Sequence, residues 1–263
     1  MVRRAVVACA LSFSVLLADC ATAAPPRATQ QNAESDATAK MFAELTERVG
    51  QGDASAQAIL GQMYYRGDGV PRDYAKALQW LQRAAVQRHA GAQLALALMY
   101  ARGHGVRKGM AYAFMWAKKA AENGDAVAQR VTGNLYDTGN GVRKDAAKAF
   151  RWYQMAAAQG DPDAQYNLGT MYFAGEGVRE DKVLAYAWFN LVAGRETEPK
   201  RAEVDPRDSV EQLLTSAEIA EAQRIATAWV PGKSLVRERG EAGFSQARYI
   251  QPALLLDYEL RER

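Results

Sequence analysis

Two histidines and a recurring set of aspartates are the side chains of this 263-residue sequence best suited to chemistry. His89 and His104 could serve as general bases or metal ligands, but neither has another His or a Cys at metal-ligand spacing. Asp73, Asp145 and Asp181 could work as acid–base pairs if they converged. They recur instead in step with a repeat, and a carboxylate in that setting caps a helix by accepting hydrogen bonds from the free N–H groups of its first turn. The pairs Gly67/Gly69, Gly103/Gly105, Gly139/Gly141 and Gly175/Gly177 lack the third glycine of a phosphate cradle and follow a helical pattern, not a strand. His89 shares its column with Asp125 and Asp161, and His104 shares its own with Asp68, Asn140 and Glu176, so both read as solvated turn residues. The expectation is a protein without catalytic residues, metal or cofactor.

The elements that carry these residues are set by periodicity. Trp80, Trp116, Trp152 and Trp188 stand 36 residues apart, and Gln57, Gln93, Gln129, Gln165 and Tyr64, Tyr100, Tyr136, Tyr172 keep the same period. Such a period marks stacked supersecondary units, none able to bury its apolar face alone. In the first unit Ala56, Leu60, Met63 and Tyr64 lie at helical spacing, which defines a helix A. Gly61, Ala97, Gly133 and Gly169 occupy one position in its middle, where glycine costs about 1 kcal/mol, so a closely approaching second helix is the expected compensation. Helix B opens at Asp73, Asp145 and Asp181, with Gly109 as a weaker cap in the second unit, and carries one indole among several alanines. Those tryptophans are expected in the core, where loss of each would cost about 3–5 kcal/mol.

The segments Ala54–Ala85 and Ala126–Ala157 closely follow the pattern Ala-x-Ala-Gln-x-x-Leu-Gly-x-Met-Tyr-x-x-Gly-x-Gly-Val-x-x-Asp-x-x-Lys-Ala-x-x-Trp-x-x-x-Ala-Ala, while Ala90–Ala121 and Pro162–Ala193 follow it more loosely. This pattern resembles the Sel1-like repeat, a relative of the tetratricopeptide repeat. The resemblance implies an all-α, right-handed α-solenoid of four helix-turn-helix repeats (53–88, 89–124, 125–160 and 161–197) used as a docking surface, often by bacterial envelope proteins that regulate signalling or organise assemblies. One cysteine-rich branch of the family binds penicillin through a scaffold of disulfide-linked helix pairs. This chain cannot build that scaffold, because Cys9 and Cys20 are its only cysteines.

Both ends of the array read as covered, as a solenoid requires. Residues 40–52, with Phe42, Leu45 and Val49, form a half-repeat that serves as an N-terminal capping helix. Residues 198–230 hold a C-terminal loop and capping helix: 196–208 read as a charged loop with Pro199 and Pro206, and Thr215 and Glu218 form a capping box ahead of Ile219, Ala222, Ile225, Ala226 and Trp229. The tail 231–263 is either folded back onto the last helices or a separate binding or disordered segment.

Residues 1–23 read as a secretory signal peptide, with Arg3 and Arg4, an apolar run over 5–18 and the Ala21-Thr22-Ala23 cleavage pattern. A lipidated Cys20 is the rival, but Asp19 stands where a lipidation box wants a small residue. Residues 24–39 are rich in Ala, Pro, Gln, Ser and Thr and read as a flexible leader. The expected location is the periplasm, with no integral membrane span in the mature chain. A net charge of +3 among 24% charged residues is too weak for a nucleic-acid partner.

Partner-binding residues are sought among the helix A columns that differ between units. The candidate concave wall comprises Gln62, Tyr65 and Arg66; Leu94, Leu98 and Arg102; Arg130, Asn134 and Asp137; and Tyr166, Thr170 and Phe173, with Tyr166 and Phe173 as exposed aromatic anchors. Its mixed chemistry suits a protein or peptide. A second surface is a basic ridge of Arg72, Arg107, Lys108, Arg143, Lys144 and Arg179, open to an acidic polymer or surface. The function these features imply is an adaptor or regulator. An envelope hydrolase or penicillin-type binder, and a passive scaffold of a secretion or polysaccharide-export assembly, are the alternatives.

Overall fold

The structure, a computed structural model, describes residues 42–194, 205–232, 234–239 and 245–250. The segments expected as signal peptide, lipidation box and leader, and the residues beyond 250, lie outside the described residues. Contacts divide the chain into Met1–Glu44 and Leu45–Arg263. Of the first unit only 42–44 are described, as the opening of helix α1 (42–50); all later elements belong to the second.

Eight helices form four consecutive hairpins: α2 (Ala54–Arg66) with α3 (Tyr74–Val86), α4 (Ala90–Arg102) with α5 (Met110–Glu122), α6 (Ala126–Thr138) with α7 (Ala146–Ala158), and α8 (Pro162–Ala174) with α9 (Lys182–Ala193). Each hairpin also packs on the next, giving an α-solenoid. Then come α10 (Pro206–Glu211), α11 (Ser216–Ala228), and strands β1 (Ser234–Arg239) and β2 (Ser245–Ile250), paired antiparallel with Ser234 opposite Ile250.

Each turn is built the same way. The first glycine takes the left-handed conformation after helix A, as at Gly67 (φ 82°), whose N–H donates to Met63 O. The N–H of the residue capping helix B then donates to the helix A tyrosine carbonyl, from Asp73, Gly109, Asp145 and Asp181 to Tyr64, Tyr100, Tyr136 and Tyr172, each at 2.9 Å. Asp73, Asp145 and Asp181 cap helix B as expected, while Gly109 offers no side-chain bond. The second glycine sets the register between units. A Cβ on Gly141 or Gly177 would lie 2.2 or 2.3 Å from the carbonyl oxygen of Met110 or Ala146, the first residue of the preceding unit's helix B.

The mid-helix glycines do admit the partner helix. A Cβ on Gly61, Gly133 or Gly169 would fall 2.6–2.7 Å from Leu81, Tyr153 or Phe189, each 20 residues ahead, whereas the same positions of the second unit hold Ala97 and Ala117, both buried. A large side chain on helix B thus occupies the space a glycine leaves on helix A, and two alanines share it otherwise.

Four expectations are corrected. Only Trp188 is fully buried; Trp80, Trp116 and Trp152 are half-buried, with Arg83 and Lys119 stacked 4.5 and 4.6 Å over Trp80 and Trp116. Trp188 differs because Ala222, Ile225 and Trp229 of the capping segment join its core cluster. Secondly, Asp205 caps α10 and Pro206 sits at its first position, so 205–208 open a short helix where a loop was expected. Thirdly, His89 is the N-cap of α4, its Nδ1 accepting from Ala92 N–H at 3.2 Å, the role Asp53, Asp125 and Asp161 play for the other A helices. Fourthly, His104 is not a solvated turn residue: it is half-buried and stacked on Tyr74 at 4.6 Å. At the C-terminal end the Thr215/Glu218 capping box forms, and Gly232 N–H donates to Ala158 O at 2.6 Å, with β1 beside α7 and α9.

Candidate docking face

The periodic glutamines tie each helix A to the ends of the helices B on either side. Gln93, Gln129 and Gln165 donate from Nε2 to Ala85, Ala121 and Ala157 at the end of the preceding helix B. Gln57, Gln93 and Gln129 accept through Oε1 from Gln87, Asn123 and Gln159, the amides that end the following helix B, at 2.8–2.9 Å. This ladder satisfies buried amides that would otherwise cost about 1–3 kcal/mol each. It ends at Gln165, whose Oε1 is buried without a partner; the next position in the amide series is Arg195, outside the described residues.

The candidate wall lies on α2, α4, α6 and α8, but its residues divide by use. Arg130 is half-buried and pairs with Asp161 at 3.0 Å and Asp163 at 3.5 Å, joining two units. Asn134 accepts from Tyr153 OH at 2.6 Å and from Asn167 Nδ2 at 3.3 Å. Burial pushes the Tyr153 phenol above its ordinary value, and the nearby Asp137 adds to the rise. Phe173, expected as an exposed anchor, is half-buried against the core of the last two units. Thr170 is exposed, and its hydroxyl donates back to Tyr166 O within α8.

What remains open on this face is apolar with basic flanks. Leu98 is 40% exposed and Tyr166 is 44% exposed, the Tyr166 ring tilted 5.4 Å from Phe189. Val127, at the start of α6, is also exposed, and Leu94 and Gln62 are half-buried. Arg66 and Arg102 are exposed at the ends of α2 and α4. Tyr65 is half-buried between the first two units, its hydroxyl 3.1 Å from His104 Nδ1 and accepting from Arg102 Nη1 at 3.4 Å.

On the ridge, Arg72, Arg107, Lys108, Arg143, Lys144 and Arg179 are all exposed. Neighbouring lysines, by contrast, are matched to carboxylates: Lys148 to Asp145 at 2.9 Å and Lys182 to Glu180 at 2.6 Å. The Lys148 backbone N–H and ammonium together hold the Asp145 carboxyl below its ordinary range. Sequence reasoning missed Tyr74 and Tyr112; each is the single aromatic in its own column of the repeat, a visible departure from the pattern. Among the described residues there is no cluster of His, Cys, Asp or Glu able to hold a metal, and no helix is long and apolar enough to cross a membrane.

Comparison with known proteins accounts for this arrangement. The Sel1 repeat family matches residues 54–89, 90–125, 126–161 and 162–193. Among solved structures, c5321, a protective antigen present in uropathogenic Escherichia coli strains displaying an SLR fold, is 38% identical with a TM-score of 0.57. The match covers 59% of this chain and 33% of c5321, so the chain spans about a third of that protein's length. A Sel1 repeat protein from Oxalobacter formigenes is 34% identical with a TM-score of 0.58, over 61% of this chain and 67% of that one. No curated protein matches. Four consecutive repeat matches, filling more than half of the sequence, make this chain a member of the Sel1 repeat family.

Proposed function

We propose that the protein is exported and works in the bacterial periplasm or envelope as an adaptor or regulator that binds another protein, without catalysing a reaction. The observation that carries this reading is the division of labour on the A helices. The glutamines that tie the stack repeat from unit to unit, and variable residues such as Arg130 and Asn134 are also spent on neighbouring units, while Leu98, Val127 and Tyr166 present apolar surface to solvent in three successive units. Exposed apolar groups on successive units favour association, and repeat surfaces of this kind take extended peptides or helices. Sel1 repeat proteins bind protein partners, which agrees with this use of the face. Export is supported by the Arg3-Arg4 start, the apolar run and the Ala21-Thr22-Ala23 site.

Two measurements test the reading. Mass analysis of the protein recovered from the periplasm should give a chain beginning at Ala24; a diacylated Cys20, or retention in the cytoplasm, would overturn the export assignment. Replacing Leu98 and Tyr166 together by Ala should weaken the complex with the captured partner by about 2 kcal/mol or more, with helical content unchanged. Equal binding by the double variant would remove this face from the account.

A further inference from the structure

We propose that the turn joining α4 to α5 is the docking point for an acidic segment of the partner protein, with Tyr112 as its aromatic anchor. The inference rests on the adaptor reading and gives that partner a chemistry.

Charge balance singles this turn out. Residues 102–112 contain Arg102, Arg107 and Lys108 and no carboxylate, whereas the corresponding stretches of the other units carry Asp68 and Asp73, Asp145, or Glu176, Glu180 and Asp181. In those units Lys76, Lys148 and Lys182 find intramolecular acidic partners. The second unit has Gly109 where the others place a capping aspartate, so its three cations meet no acid within the turn.

The fold holds these cations together. Gly103 reverses the chain after α4 in the left-handed conformation, and a Cβ there would lie 3.3 Å from Lys108 Cβ, so Arg102 and Lys108 flank one tight crossing. The turn is braced from the first unit by the Tyr74–His104 stack, the Tyr65–His104 hydrogen bond and the bond from Arg102 to Tyr65 OH. A pre-set geometry of this kind lowers the ordering cost of binding.

Beside the cations stands Tyr112, 58% exposed, the most exposed aromatic ring among the described residues. It is stacked on Tyr100 at 5.3 Å, and its Cδ2 lies 3.1 Å from where a Gly109 Cβ would sit. An oriented, accessible tyrosine on the same turn as Arg107, whose carbonyl oxygen lies 3.9 Å from the same Gly109 Cβ position, has the composition of a protein hot spot. A long anionic polysaccharide or a lipid surface would be served by unbalanced charge along the whole ridge. One unbalanced turn beside one ring fits a short stretch of Asp or Glu that carries an apolar side chain.

The test uses the full chain and a fluorescent random glutamate–tyrosine copolymer, read by anisotropy at several salt concentrations, with a polyuronate and phosphatidylglycerol vesicles as competing probes. The copolymer should bind in a salt-sensitive manner and more tightly than either competitor. Substituting Arg102, Arg107 and Lys108 by Gln should weaken it about ten-fold or more, and Tyr112→Ala should weaken it about five-fold or more, while Arg143→Gln with Lys144→Gln changes it less than about three-fold. Gly109→Asp is the decisive variant: its φ of −160° is open to any residue, the exposed Tyr112 ring 3.1 Å from the new Cβ need give by only a few tenths of an ångström, and the new carboxylate supplies the missing cap and also offsets one of the three cations. Thermal stability should rise while copolymer affinity falls about ten-fold, a divergence that a merely structural role would not produce. The inference is overturned if the copolymer does not bind, if the Arg143/Lys144 variant loses as much as the Arg102/Arg107/Lys108 variant, or if polyuronate or vesicles bind in its place. Should the partner captured on the Leu98 face remain bound to the Arg102/Arg107/Lys108 variant with unchanged affinity, this inference fails while the adaptor reading stands.

Discussion

Adding a single methyl group at Gly133 should destabilise the protein, although alanine is the better helix former. The Cβ would lie 2.6 Å from Tyr153 Cε1 and 2.7 Å from Cδ1, roughly 1 Å inside the optimum for carbon pairs. Tyr153 has no easy retreat, because its ring is 2% exposed and its hydroxyl is tied to Asn134. Overpacking at such a contact costs about 1–3 kcal/mol, and the helix propensity of alanine returns about 1 kcal/mol, for a net loss of up to about 2 kcal/mol. With Tyr153→Ala already in place, the same Gly133→Ala change should stabilise by about 1 kcal/mol, since the space is then empty. The two substitutions should therefore couple by about 1–3 kcal/mol, and the double variant reproduces the Ala97/Ala117 pair of the second unit. Equilibrium urea unfolding followed by circular dichroism measures each corner of the cycle, with tryptophan fluorescence checking that one transition is being observed. If Gly133→Ala raised the unfolding midpoint with Tyr153 present, or if the two effects simply added, the space-sharing explanation of the glycine column would be refuted.

Two further substitutions probe the polar side of the same packing. Thr132 stands in a column of leucines, fully buried, with its hydroxyl unpartnered, so Thr132→Val should raise stability by about 1 kcal/mol in urea unfolding; a loss would mean the hydroxyl is satisfied in solution. Asp145→Ala should cost about 1 kcal/mol at neutral pH through loss of the α7 cap. The Asp145 carboxyl is held below its ordinary range in the fold, so its contribution is present above the unfolded-state value of about 4 and is lost as pH falls through the folded-state value. The stability gap between parent and variant should accordingly close in acid, and a gap that persisted at low pH would contradict the assigned cap.

Most of the scaffold can be read from residue spacing because one unit is printed four times. The Trp, Tyr and Gln columns, the Asp caps of helix B, the glycine stops and the Thr215/Glu218 box all depend on local sequence and register. The features that could not be read depend on which helix meets which. That Gly133 makes room for Tyr153 requires knowing that positions 20 residues apart face each other, and that His104 is half-buried requires the approach of Tyr74 from the preceding unit. The docking face was only partly legible for a related reason. Variation between units looks the same whether a residue is reserved for a partner or spent on a neighbouring unit, and Arg130 and Asn134 prove to be spent in the latter way. The backbone pairing of 234–239 with 245–250 had no repeat to reveal it, and the Asp205-Pro206 start of α10 was outweighed by the charge of the segment around it.

Site-specific photo-crosslinking in the producing cell tests the central claim most directly. A photoreactive residue placed at Leu98 or Val127, on the open face of the A helices, should capture one protein partner in the periplasm, whereas the same residue at the exposed Gln82 or Glu122 on the B helices should not. Absence of any protein adduct at Leu98 and Val127, or equal capture from both sets of positions, would contradict the assignment of this face as the docking surface.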